Sequence, residues 1–484
     1  RLTLTGLISG NGELTKDGGG TLVLNNTSNS VNAMNISGGT VSVNNDSLGG
    51  SDINISNNAT LQVSVATLFN GINFSTGGGT ILCNDFAEFT RSFSGSGVIT
   101  KSGAGVIFAA TSNNTGGLSV VSGGIIARGV GGVTSGPITM AGGTLYYFNA
   151  TTPFTLEQAI TLNGAASIGP NTGVNNTITI SGNITGVGSL SMASGTLILT
   201  GTNSYGTGDS IGTLVGNGTL GIGSDSALGT QGVSLSGGAV RGVANATIPN
   251  AMVLSSNTNF SADTDTTLTV NGTLSGTGNI VKSGDGTIVF NSASFSGTIT
   301  VNAGGLKIGS DVSSNAVTLN AGLFEGAGSF GATTVNGGTL VGDGTYASLD
   351  IVGGTIAPGN STGTIIVSGD YRQRAGTVYE AELDCRNSDK LIVTGTATID
   401  SGAILRVTQI SGTIPKGTSY DLLVASNGIN QLWTVQEIAP NIDATISLVD
   451  GTIARLTTAS SVVFLGRDID AGNPYRVRNY LNKI

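Results

Sequence analysis

An all-β solenoid, in which short strands stack coil upon coil, is the fold this sequence predicts. Three observations carry that reading. Glycine supplies 79 of the 484 residues, short Val/Ile/Leu runs alternate with Thr, Ser and Asn, and one thirteen-residue unit recurs along the chain.

The glycine content lies far above the usual ~7%, yet no Gly-X-Y period runs through it, so a collagen helix is excluded. Hydrophobic residues make up 38% and charged residues 10%, the opposite of a disordered chain. Segments such as Gly20-Thr21-Leu22-Val23-Leu24 are β-formers. On a pleated strand alternate residues face opposite ways, so Val, Ile and Leu fill the bore while Thr, Ser and Asn face out. Glycine allows the positive-φ turns between strands and the close approach of one coil to the next. A 3.6-residue apolar stripe is absent until the last dozen residues. There Asn473 as N-cap and Pro474 at the first position make 473–482 the helix candidate.

The recurring unit reads Gly10-Asn11-Gly12-Glu13-Leu14-Thr15-Lys16-Asp17-Gly18-Gly19-Gly20-Thr21-Leu22 and returns from Gly95, Gly186 and Gly276. Its lysine position falls at Lys16, Lys101, Met192 and Lys282, so successive copies stand 85, 91 and 90 residues apart. Inside this long period, Gly-Gly-Thr or Gly-Thr before an apolar residue returns at Gly38, Gly142, Gly218, Gly337 and Gly353. Neighbouring signals often stand about 16–25 residues apart, the length of one coil of a parallel β-helix. One such coil buries too little carbon to stand alone and depends on its neighbours.

After about Gly344 the composition changes. Tyr371, Arg372, Arg374, Tyr379 and Glu380 crowd together, and the only tryptophan, Trp433, follows. Larger side chains here predict a β cap over the end of the core. The expected organisation is a repeat region 1–345, a cap 346–466 and a tail 467–484. Arg1 begins in mid-pattern, which suggests a piece of a longer protein.

The ordered motifs resemble the passenger region of a bacterial autotransporter, the type V secretion family. The Gly-x-Gly-x-Leu-x-Lys-x-Gly-x-Gly-Thr-Leu unit is similar to that family's passenger-associated repeat. Gly221-Ile222-Gly223-Ser224-Asp225-Ser226-Ala227-Leu228-Gly229 resembles the segment that follows it, and Asn45-Asp46-Ser47-Leu48-Gly49 is a weaker copy. Gly354-Thr355-Ile356-Ala357-Pro358-Gly359-Asn360-Ser361-Thr362-Gly363-Thr364 and Ser388-Asp389-Lys390-Leu391-Ile392-Val393 are similar to the signatures of its C-terminal passenger domain. Met192 departs from the pattern. The resemblance implies a right-handed parallel β-helix, with 346–466 as an autochaperone that folds first outside the outer membrane. It implies that 467–484 leads by a linker helix towards a barrel absent from this chain. It further implies an exported surface passenger acting as an adhesin or surface-structural protein of a Gram-negative bacterium, with release after cleavage left open. The partners implied are its own barrel, and host or bacterial surface receptors or further copies of itself. A non-binding stalk and a β-helix glycan-cleaving enzyme are the alternatives.

The residues offer little chemistry. Histidine is absent, which removes Ser-His-Asp and Cys-His catalysis and most zinc sites. Net charge is −9 without a basic stripe, so nucleic acid is not an expected partner. Cys83 and Cys385 read as two buried or half-buried thiols with no disulfide framework. Gly208-Asp209-Ser210-Ile211 looks like a passenger nucleophile motif but has no histidine base and reads as a turn. Glu380, Glu382 and Asp384 alternate on one strand face, where a solvated outer surface is expected rather than a carboxylate pair. Asp263 and Asp265 read as loop surface. Gly221-x-Gly223-x-Asp225 lacks the tandem partners of a calcium repeat. Lys16, Lys101 and Lys282 read as solvated strand or turn lysines. No catalytic, cofactor-binding or metal-binding residue is therefore predicted, and no enzyme.

Overall fold

The computed structural model describes residues 1–463 except 45–47, 49, 65, 111, 129–133, 149–152, 171–176, 193, 209–210 and 313–314. The helix candidate 473–482, the tail 467–484 and the pair Asp209-Ser210 lie outside the described residues, as does most of Asn45-Asp46-Ser47-Leu48-Gly49. Among the described residues there is no helix, and the chain winds as a parallel β-solenoid of about 18 turns. It divides into two compact units, Arg1–Met252 and Val253–Ile484.

In the first unit one sheet runs through ten parallel strands, from Leu2–Leu4 by way of Thr21–Leu24, Thr40–Asn44, Ala59–Ser64 and Gly79–Cys83 to Ile184–Thr185. The register is regular. Thr40 lies beside Thr60, Thr60 beside Thr80 and Thr80 beside Thr100, so these coils repeat every twenty residues. Strand burial follows the pleat: Ala59–Ser64 alternates buried and half-buried at every position. Val41, Leu61, Ile81 and Lys101 stack inward on four successive coils, all with no side-chain exposure.

The second unit keeps the same logic. Thr267–Val270, Thr287–Phe290, Gly305–Ile308, Leu323–Gly326, Thr339–Gly342 and Thr355–Pro358 stack in parallel, followed by Val378–Leu383, Ile404–Gln409 and Val435–Ile438. Among the described strands, direction changes near the end. Ser419–Ala425 and Ala444–Val449 both run antiparallel to Ile453–Thr458.

Beside this turn-back lies a buried aromatic cluster organised by one amide. The Gln373 side chain donates to the Thr377 and Ile404 carbonyls, each at 3.0 Å. Its Oε1 accepts from Trp433 Nε1 at 2.7 Å and from the Tyr371 hydroxyl at 3.2 Å. Tyr379 stacks at a tilt on Trp433 and donates to the Leu422 carbonyl at 2.8 Å. Large side chains with polar tips fill this part of the core because every tip finds a partner.

Candidate functional site

The recurring lysine is an interior residue, not a solvated one. Lys101 and Lys282 have no exposed side-chain surface. In Ile99–Ser102 and Ile280–Ser283 the pleat sends Ile99 with Lys101, and Ile280 with Lys282, into the core. Each ammonium then reaches the turn that follows its own strand. Lys282 Nζ donates to the carbonyls of Ser283 at 2.7 Å and Gly284 at 2.8 Å, and to Ala303 of the next coil at 3.0 Å. Lys101 repeats this with Ser102, Gly103 and Ser122 at 2.8, 2.9 and 3.3 Å. Lys16 does so with Asp17, Gly18 and Gly38 at 2.6, 2.7 and 2.9 Å, in a more open setting. A charged donor can be buried because three carbonyl dipoles surround it.

The lysine explains the glycines around it. Gly39, Gly123 and Gly304 sit at φ near +66, +71 and +64, one coil beyond the three lysines. A β-carbon on Gly304 would stand 2.7 Å from Lys282 Nζ and collide with the Gly284 and Gly286 carbonyls; at Gly123 and Gly39 the clashes are equivalent. Burial lowers the Lys282 pKa to about 8, partly opposed by Asp285. It lowers that of Lys101 as well, with the Cys83 thiol opposing. Met192, the departure in the decayed copy, is buried at the same inward position.

The outward faces of the first unit carry two patterns. One is a file of hydroxyls: Thr21, Thr40, Thr60, Thr80, Thr100, Ser119, Thr139, Thr161 and Thr185 are consecutive register partners, about 4.8 Å apart. A shorter file of amides runs from Asn73 through Asn54 and Asn35 to Glu13, each Nδ2 donating to the next oxygen at 3.2, 2.9 and 2.8 Å. The second pattern is aromatic. Phe108, Ile126 and Tyr146 are register partners on one outer face. Phe86 meets Phe108 edge to face with ring centres 5.3 Å apart, and Phe148 is 38% exposed beside them. The Arg128 guanidinium lies 4.6 Å over the Phe108 ring and pairs with Glu88. Alternation places these rings outward, since Ala87, Ile107, Ile125 and Leu145 between them are fully buried.

The family model for the passenger-associated-transport-repeat matches residues 14–43 and 280–308. These stretches span two of the three clamps, Lys16 to Gly39 and Lys282 to Gly304. These repeats support reading the chain as an autotransporter passenger region. Over 138 residues, 27% of the chain, the passenger is 41% identical to the adhesin BmaC autotransporter of Brucella suis biovar 1 (strain 1330). That stretch covers 4% of the relative's length. The autotransporter passenger family is one of export to the cell surface or outer membrane of Gram-negative bacteria.

The carboxylates singled out in the passenger sequence do not gather into one site. Glu380 is half-buried beside Arg406, its register partner. Glu382 is only 8% exposed, which corrects the expectation of a solvated outer face. The segment after its strand folds back, so the Asp389 N–H donates to the Glu382 carbonyl at 2.8 Å, and the Glu382 N–H to Asp389 Oδ2 at 2.9 Å. Asp384 accepts the Arg386 and Asn387 N–H groups and caps that loop. Backbone hydrogen bonds and Arg386 outweigh its desolvation, the largest single influence, and hold its carboxyl below the ordinary value. Asp265 sits in a turn at φ 59, with Asp263 on its flank. Asp225 accepts the Thr247 N–H at 2.7 Å, a link between successive coils. Cys83 is buried and Cys385 exposed, both as free thiols. No group of three or more Cys, Asp or Glu suited to a metal occurs among the described residues.

Proposed function

We propose that this passenger is a non-enzymatic adhesive or surface-structural element, held outside the cell by its own outer-membrane barrel. The observation that carries the reading is the aromatic ribbon Phe86–Phe108–Ile126–Tyr146–Phe148. It stands on one outer face together with the Arg128–Glu88 pair. Contiguous exposed apolar surface of this kind marks contact sites, and aromatic rings with Arg128 supply the residue types that dominate them. The adhesin to which the chain is similar supports the same reading.

The test is binding of the purified, labelled chain to host cells and to bacteria, with self-association followed by sedimentation. The wild-type chain should bind one of these surfaces or itself. The triple variant Phe86→Ser, Phe108→Ser, Tyr146→Ser should lose most of that binding while keeping its β circular dichroism. A folded wild-type chain that binds no cell and stays monomeric defeats the reading and leaves a stalk.

A further inference from the structure

A polar cleft of about 490 Å³ opens on the second unit between Thr362–Thr364, the loop Arg386–Ser388, Lys390 and the antiparallel partners Asp421 and Arg455. That volume suits one or two sugar rings, within the usual ~300–1,000 Å³ of ligand sites.

Its walls are held in place. The buried Asp389 carboxylate takes the N–H groups of Gly363 and Glu382, both at 2.9 Å, and so ties the loop to the neighbouring coil. The Tyr420 hydroxyl donates to the Asp384 carbonyl at 2.7 Å and pins the loop from the other side. Lys390 is the register partner of Thr364, so an ammonium and a hydroxyl share one rung.

The charge on this lining runs against the rest of the chain. Arg386, Lys390 and Arg455 line the cleft with Asp421 as the one carboxylate, in a protein of net charge −9. Asp421 is engaged by Arg455, Nε to Oδ1 at 2.6 Å. Arg386 stands near Asp384, whose oxygens are taken up by the loop's own N–H groups and by the Asn387 amide. Among the described residues no carboxylate pairs with Lys390. Two cations therefore border a cleft otherwise lined by hydroxyls, an amide, backbone and the self-paired Arg455 and Asp421, a lining that fits a polyol bearing one anionic group.

We propose that this cleft binds an acidic sugar, its sulfate or carboxylate seated against Lys390 and Arg386 and its hydroxyls against Thr364 and Ser419. The site is separate from the aromatic ribbon, so this proposal goes beyond the adhesive reading and can fail or stand without it.

Calorimetric titration of the full chain tests it with four probes: a sulfated heparin disaccharide, the matching unsulfated uronate disaccharide, neutral lactose and inorganic sulfate. The sulfated or the uronate disaccharide should bind saturably and more tightly at low salt; which one binds identifies the anion. Lys390→Glu and Arg386→Glu should each weaken binding by about tenfold or more. Arg372→Glu, which breaks an exposed pair with Asp400 outside the cleft, should leave binding unchanged. If a charge reversal unfolds the chain, Lys390→Gln and Arg386→Gln serve instead and should show the same order of loss. No saturable binding of either disaccharide overturns the proposal. So does equal affinity for lactose or for bare sulfate, or binding that survives loss of Lys390. Because no cells are used, failure here leaves the adhesive reading untouched, and failure to bind cells leaves this one standing.

Discussion

Lys282→Met removes the ammonium of the second unit's clamp but keeps most of the stem, as the passenger's own third copy does with Met192. Three hydrogen bonds from a charged donor contribute about 1.5–3 kcal/mol each. Against them stands the cost of holding the charge out of water. A pKa lowered from 10.5 to about 8 corresponds to roughly 2–3 kcal/mol once screening at the open turn is discounted. The net loss expected for Lys282→Met is therefore about 2–7 kcal/mol. Lys282→Ala should cost about 2 kcal/mol more, because the buried methylenes go as well. Lys16→Met, whose Asp17 and Gly18 bonds lie exposed, should cost less than about 1 kcal/mol. Urea unfolding followed by far-ultraviolet circular dichroism measures all three. Hydrogen exchange at the Gly305 amide, which donates to Gly286 at 3.1 Å beside the clamp, reports the local effect. The sign with pH is also fixed. Between about pH 8 and 10.5 the folded chain has released the Lys282 proton while the unfolded chain keeps it, so stability rises with pH. The advantage of wild type over Lys282→Met should grow across that window. An unchanged midpoint and unchanged Gly305 exchange in Lys282→Met would refute the clamp, as would an equal loss in Lys16→Met.

Three further outcomes follow from buried groups in the second unit. Gly304→Ala forces a side chain into a positive-φ position facing two carbonyls and Lys282, and should cost at least about 2 kcal/mol in the same unfolding assay. Tyr346→Phe should stabilise by about 1 kcal/mol, because the buried Tyr346 hydroxyl has no hydrogen-bond partner among the described residues while the ring, stacked on Phe330, is kept; a loss in melting temperature would contradict this. Gln373→Leu leaves Trp433 Nε1 and two carbonyls without their partner and should cost about 3 kcal/mol or more, visible as a red shift and broadening of the single tryptophan's emission at lower urea.

Alternation and glycine punctuation made the coil legible in the sequence, and the recurring lysine-bearing unit fell where strands and turns now stand. The lysine was misjudged on its charge. Period two places Lys16 on the face of Leu14, and Lys101 on that of Ile99, so the pleat already pointed inward. The Met192 copy carried the same signal, since methionine suits a core and not a solvated turn. Glu382 was misjudged for a different reason. Its strand alternates as expected, but the backbone after Leu383 doubles back over it, and no local pattern announces that cover. The aromatic ribbon could have been found by the same alternation, because Phe108 and Tyr146 flank inward Ile107 and Leu145. The cleft could not, since Thr364, Lys390 and Arg455 meet only through strand register across some ninety residues of sequence.

The hydroxyl file bears on how such a protein changes length. Each rung comes from an equivalent position of a successive coil, and each clamp bonds its own turn and an adjacent coil. Duplicating a few coils in tandem would therefore lengthen the file without disturbing the rungs already there. A lineage can then adjust reach through copy number, while single copies drift, as the third has, without taking the others with them.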